Sequence, residues 1–287
     1  MTVLLLSDPS LKAQEPSRED FEYLASATPR IVCMKPDMKT GFGSGSGAVI
    51  YHEPGDNAYI LTARHVVDDC DEKGGKLYAR ATSTTRSPFG RPDGIGKTYF
   101  AVTILSQDKD TDLAILKTIS RFDQQLTFLR MSKELPYPGQ PIYIAGFPAP
   151  MSDDFQINYG IVSMIKQIHE GTKYYARAFV IDAYTYFGNS GGPVVDNDMK
   201  IRGVAVLIVG GFVEPSFFGK PTPPGPSRGW AISTQEVWRL LKKDPNLKYL
   251  QEKLTAYESE AIRKEATGLE RTETPAQNAT SNPTPSR

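Results

Sequence analysis

Three short segments limit what this chain can fold into, and their order along the chain limits it further. Thr62-Ala63-Arg64-His65-Val66-Val67 carries a histidine, Asp110-Thr111-Asp112-Leu113-Ala114-Ile115-Leu116 an aspartate, and Gly188-Asn189-Ser190-Gly191-Gly192-Pro193 a serine. A serine hydroxyl is a poor nucleophile at neutral pH. It needs a base within hydrogen-bond reach, and that base needs a third group to fix its tautomer. His65 is the candidate base, Asp112 the candidate orienter and Ser190 the candidate nucleophile. Asp112 is preferred to Asp110 because an apolar run follows it directly and would hold it at a buried strand end. Asp68, Asp69 and Asp110 read as solvated neighbours.

The glycines around Ser190 fit the same chemistry. A developing oxyanion is held by backbone N–H groups converging on one point, which a tight turn without bulky side chains provides. The stretch Gly188-Asn189-Ser190 is the candidate oxyanion loop, with the Gly188 and Ser190 N–H groups as donors. Ser190 also sits in a G-x-S-x-G pattern, the nucleophile elbow of α/β-hydrolases. There the histidine follows the serine, whereas His52, His65 and His169 all precede Ser190. A subtilisin-like order needs an aspartate before His65, and Asp56 lies in Pro54-Gly55-Asp56-Asn57, which reads as a turn. The order His, Asp, Ser remains. His52 and His169 read as ordinary surface or strand residues.

In that order the segments resemble the chymotrypsin-fold (trypsin-like) serine peptidases, and more closely their HtrA-type branch. Gly43-Ser44-Gly45-Ser46-Gly47 before Ala48-Val49-Ile50 is similar to that branch's approach to a first-barrel strand. Tyr59 to Val67, Thr111 to Ala114, Gly188 to Pro193 and Gly229-Trp230-Ala231-Ile232-Ser233 complete the resemblance, over roughly residues 30 to 242. It implies an all-β fold: two six-stranded antiparallel β-barrels of the trypsin-like fold with a C-terminal helical extension. The cleft between barrels would draw His65 and Asp112 from the first and Ser190 from the second. The implied activity is a serine endopeptidase acting on proteins or peptides through an acyl-enzyme. The alternative is a latent or inactive module that keeps the fold for chaperone-like protein binding, and the bulk of Tyr184, Tyr186 and Phe187 beside the site is what favours it.

Composition excludes other classes. Lys plus Arg number 33 and Asp plus Glu 33, so there is no basic field for a nucleic-acid partner. No apolar run approaches the ~18 residues that span a bilayer. Two cysteines and three histidines show no metal-ligand spacing, and no cofactor is implied. Cys33 and Cys70 read equally as a pair or as free thiols. Met1 to Leu6 is apolar but short for a signal-peptide core and lacks a basic flank. If Ser10-Leu11-Lys12-Ala13 ends a truncated signal peptide the protein is periplasmic or secreted; otherwise it is cytoplasmic.

Along the chain, residues 1–28 read as a weakly structured N-terminal segment and 29–236 as the peptidase domain, with its barrel boundary near 125–138. Residues 237–267 read as C-terminal helices and 268–287 as a disordered tail. The first strand is expected at Arg30 to Met34, with later strands at 101–105, 141–145 and 203–207, and a polar loop at 82–98. Ser233-Thr234-Gln235-Glu236 reads as a capping box, and Asp244-Pro245 as the start of a further helix. The stripe Leu247, Leu250, Leu254, Tyr257, Ala261 spans about two heptads, short of a coiled coil. It suits docking on the barrel more than a homo-oligomer, for which the 209–228 loop is a second route. That loop reads as a surface excursion or as a gate over the pocket. Only about 50 residues follow Ile232, so the sequence reads as a peptidase domain without the PDZ module common in the branch.

Arg30-Ile31-Val32 mimics an activation cleavage site. In trypsin-like zymogens the new amino group pairs with an aspartate just before the serine, but here that residue is Asn189. No activation at Arg30 is expected. The position that is acidic in trypsin-like enzymes, six before Ser190, is Tyr184. Tyr184, Phe187, Val206, Leu207 and Ile208 are the candidate substrate-binding residues, suited to a small or medium aliphatic side chain before the scissile bond. Buried without a carboxylate, Lys or Arg would be strongly disfavoured there.

Overall fold

The computed structural model describes residues 15–35, 41–68, 70, 72–80, 99–122, 126–148, 154–170, 173–206 and 227–267. The 82–98 loop, Leu207, Ile208, all but the last two residues of the 209–228 loop, and the 268–287 tail lie outside them. Thirteen β-strands among the described residues make two antiparallel sheets. The first uses β1 (Arg30–Met34), β2 (Gly41–Ser46), β3 (Ala48–Tyr51), β4 (Asp56–Ala63), β5 (Lys76–Arg80), β6 (Tyr99–Asp108) and β7 (Leu113–Phe122). Its order is β2-β1-β5-β6-β7-β4-β3. The two edge strands are neighbours in sequence, separated only by Gly47, so the sheet returns on itself and the expected six-strand count holds if β2 and β3 are one interrupted strand. Its core is Ile31, Val49, Ile60, Leu77, Val102, Leu116 and Leu126, all buried.

The second sheet is a closed barrel in the order β10-β13-β12-β11-β8-β9. Its strands are β8 (Pro141–Gly146), β9 (Gln156–Glu170), β10 (Lys173–Thr185), β11 (Pro193–Val195), β12 (Ile201–Val206) and β13 (Ser227–Ser233). Period-2 alternation turns Ile142 and Ile144 of β8 inward, where they meet Val162, Phe179, Ile181 and Val194. The mostly-β architecture with a C-terminal helix is the one the sequence implied. The strand at Arg30–Met34 falls where expected. It is paired on both sides, Ile31 to Gly45 of β2 and to Ala79 of β5, and Ile31 is fully buried. Arg30-Ile31-Val32 is therefore interior sheet.

Other expectations need correction. The segment before residue 29 contains a helix, α1 (Arg18–Ser26), closed by a capping box in which Ser17 and Asp20 serve each other. Aspartate stands where the usual pattern has glutamate or glutamine, which hid the box from the sequence reading. At α3 (Thr234–Lys243) Ser233 does cap the helix by accepting from Gln235 N–H. Glu236 instead accepts from the Arg177 N–H of β10 at 2.9 Å, so its carboxylate fixes the helix to the barrel. Asp244 caps a 3-10 turn, Pro245–Leu247, before α4 (Lys248–Thr267) begins. The chain divides into two compact units, 1–248 and 249–287. No helix among the described residues is long and apolar enough to cross a membrane.

Cys33 and Cys70 form a disulfide between β1 and the stretch after the short helix α2 (Arg64–Val67), 37 residues apart. Closing a loop of that length restricts the unfolded chain by about 4 kcal/mol. Cys33→Ala with Cys70→Ala should lower unfolding free energy by roughly that amount in urea titrations. No change in the denaturation midpoint would refute it.

His52, read as a surface or strand residue, is buried at 1% exposure. Leu126 N–H donates to its Nδ1 at 3.2 Å, so the ring is neutral with its proton on Nε2. Burial holds its pKa below the usual 6.5, against smaller upward pulls from Asp56 and Glu53. Below pH 6.5 the unfolded chain takes up a proton that the folded chain resists. The stabilisation present above that pH is therefore lost as pH falls. In His52→Asn, which keeps an acceptor near Nδ1, the acid slope in thermal midpoint should shrink. An unchanged slope would remove His52 as its source.

Candidate active site

Three backbone features bring His65, Asp112 and Ser190 to the meeting of the two sheets. His65 lies in α2, the four-residue helix that continues β4. The preceding residue, Ala63, has no side chain to cap it. Asp112 supplies the missing acceptors from across the sheet. Its carbonyl accepts from Arg64 N–H at 2.8 Å, its Oδ1 from His65 N–H at 2.9 Å, and its Oδ2 faces His65 Nδ1 at 2.6 Å. A carboxylate only accepts, so Nδ1 carries a proton, and in the neutral ring Nε2 is left with the lone pair. Asp112 adopts φ +54°, a left-handed conformation that aspartate tolerates better than most residues. That turn, just before β7, aims the carboxylate back at α2. The pair is half-buried, with side chains 43% and 34% exposed.

Ser190 occupies the turn before β11 and is 6% exposed. Two glycines make that turn possible. Gly191 has φ +84°, and a Cβ there would lie 2.1 Å from Thr62 Oγ1 and 2.2 Å from the Ser46 carbonyl. The loop thus abuts the end of β4, just before the histidine helix. Gly188 has φ +96° at the third position of a turn closed by Asn189 N–H to the Tyr186 carbonyl at 3.1 Å, as a type II turn requires. Among the described residues no hydrogen bond joins Ser190 Oγ to His65 Nε2; such contacts often tighten only when substrate is bound.

The amides of the loop divide cleanly. Asn189 N–H is committed to Tyr186, Gly191 N–H to the Ala205 carbonyl at 2.7 Å, and Gly192 N–H to the Asn189 carbonyl at 2.9 Å. Gly188 and Ser190 N–H have no acceptor among the described residues. Of the three residues expected at the oxyanion loop, Asn189 is therefore excluded as a donor. Its backbone closes the turn and its side chain is buried at 1% exposure. The carbonyls are held too. Ser46 N–H donates to the Ser190 carbonyl at 2.8 Å, and Ser46 Oγ donates to the Gly188 carbonyl at 2.7 Å.

The expected pocket residues fare less well. Tyr184 is 62% exposed and Phe187 52%. Tyr184 stacks on Tyr186, with ring centroids 6.4 Å apart and planes within 15°. Neither Tyr184 nor Phe187 forms a buried pocket floor. A break in strand register lies between Ile181 and Tyr184, but the alternation of β10 carries through it: Phe179, Ile181 and Ala183 face the core, and Thr185 turns inward after them at 3% exposure. Thr185 Oγ1 lies where a Cβ on Gly229 would stand 2.3 Å away. Val206 is buried on β12, whereas Leu207 and Ile208 lie outside the described residues. Thr185 and Ser46 were missed from sequence. Thr185 continues the inward alternation of Phe179 and Ile181, so counting along the strand in twos could have found it, and Ser46 was absorbed into a glycine-rich strand.

The comparisons with known proteins bear on the family and the fold. The model of the trypsin-like peptidase domain family matches residues 45–204, more than half of the chain, and the chain belongs to that family. It is similar to the serine protease HtrA-like of Staphylococcus epidermidis RP62A, 34% identical over 173 residues that cover 57% of this chain and 26% of that protein. It also resembles the serine protease HtrA-like of Staphylococcus aureus MRSA252, 28% identical over 206 residues, or 69% of this chain and 23% of that protein. The aligned region thus spans only about a quarter of these relatives' length. In fold it resembles the crystal structure of the serine endoprotease from Yersinia pestis, with TM-score 0.56 and 20% identity over 82% of this chain and 68% of that one.

Proposed function

We propose that the chain is a serine endopeptidase working through an acyl-enzyme. Ser190 Oγ attacks the scissile carbonyl, and His65 Nε2 takes its proton and returns it to the leaving amine. Asp112 holds His65 in the tautomer this requires. The Gly188 and Ser190 N–H groups receive the oxyanion. Water then repeats the cycle on the acyl-enzyme and frees Ser190. The observation that carries the reading is the grip of Asp112 on α2, which leaves Nε2 as an acceptor in the neutral ring while, among the described residues, the two loop amides have no acceptor.

A fluorophosphonate probe tests it. The folded wild type should be labelled and Ser190→Ala should not. Failure of folded wild type to label would leave the alternative, a peptidase fold kept for protein binding. The aliphatic preference rests on Thr185 and Val206, uncharged and buried on β10 and β12, the strands on either side of β13. Cleavage sites mapped by mass spectrometry should therefore end in small or medium aliphatic residues. A majority ending in Lys or Arg would overturn this.

A further inference from the structure

We infer that Ser46 is the positioning residue that keeps the oxyanion loop in its receptive form. The inference rests on the peptidase reading above, but its origin is separate. Ser46 is fully buried at the end of β2 and uses every polar atom it has. Its N–H donates to the Ser190 carbonyl at 2.8 Å. Its hydroxyl donates to the Gly188 carbonyl at 2.7 Å and accepts from Phe147 N–H at 2.9 Å. Its carbonyl accepts from Thr62 Oγ1 at 2.7 Å. One residue of the first sheet thus holds the nucleophile loop, the end of β8 and the strand leading to His65.

The hydroxyl contact bears on chemistry. The Gly188–Asn189 peptide is clamped at both ends, its carbonyl by Ser46 Oγ and its N–H by the Tyr186 carbonyl. That clamp sets ψ of Gly188 and so the direction of its own N–H relative to the rest of the loop. If the Gly188 carbonyl is released, the peptide can turn over, and glycine imposes little resistance to either conformation. A carbonyl turned toward the oxyanion position would repel the charge that the N–H is meant to receive. A serine hydroxyl has one proton to donate and lone pairs to accept. It can therefore hold the carbonyl and anchor to Phe147 at the same time, which alanine cannot. The space is closed as well, since a Cβ on Gly146 would lie 2.5 Å from Ser46 Oγ and 3.1 Å from Asn189 Oδ1.

The test compares Ser46→Ala and Ser46→Cys with wild type at a temperature where all are folded, on a peptide that the wild type cleaves. Ser46→Ala should lower kcat about 10²-fold, the scale of losing one oxyanion donor, with KM nearly unchanged. Affinity for a peptide boronate, which forms a tetrahedral adduct, should fall in parallel. Ser46→Cys keeps the shape with a weaker donor and should lie between. A lower melting temperature with wild-type kcat would make Ser46 merely structural and overturn the inference. Crystal structures supply an arm that does not depend on activity. A turned Gly188–Asn189 peptide in Ser46→Ala supports the inference, and an unchanged peptide refutes it. Activity that survives Ser190→Ala would instead overturn the peptidase reading and leave the structural arm to decide the role of Ser46 in the loop.

Discussion

Replacing His65 with alanine is expected to lower turnover about 10⁶-fold, as losing the base does when serine and histidine act as a unit. The side chain is 43% exposed, so its loss removes little packing and the variant should fold. Without Nε2 nothing accepts the Ser190 proton, and the hydroxyl returns to its ordinary weak nucleophilicity. The combination with Ser190→Ala should be no slower than either single variant, because the two residues share one step. Multiplying losses in the double variant would mean that they act separately, and the proposed roles would be wrong. Residual activity should remain above the uncatalysed rate, supplied by the loop amides and by substrate binding.

Asp112→Asn should cost about 10⁴ in kcat, with a different signature. An asparagine keeps an oxygen for His65 N–H or for the ring, but its amide group donates. Presented to Nδ1, that donor favours the tautomer with the proton on Nε2, where the acceptor is needed. The shape is retained and the proton is misplaced. Steady-state kinetics should show KM little altered, since Asp112 does not face the substrate. A variant within ten-fold of wild type would show that Asp112 is only a cap for α2. The two roles separate in Asp112→Ala, which removes the cap as well and should also lower thermal stability.

Much of this was legible in the sequence because the features are local. The His, Asp and Ser segments each carry their own turn chemistry, and their order excluded two other arrangements before any coordinate was known. Strand β1 was readable because Ile31, Val32 and Cys33 form a short apolar run before a break. The inward face of β10 was readable from period-2 alternation, which puts Thr185 with Phe179 and Ile181. Counting six residues back from Ser190 chose Tyr184, which lies on the outward face of the same strand. The pairing of Cys33 with Cys70 and the burial of His52 depend on contacts distant in sequence. Ser46 was hidden for a further reason. In a run of glycines it reads as a spacer, and its role emerges only when the Ser190 loop is placed against it.

The bond from Ser46 to the Ser190 carbonyl also bears on how the chain is made. During synthesis from the N-terminus the ribosome releases His65 and Asp112 well before Ser190. A nascent chain that has completed only its first barrel owns a base and its orienter but nothing to attack with. When the serine loop emerges it still needs Ser46 of the finished first barrel to hold its carbonyls. Under the roles assigned above, cutting power arrives last.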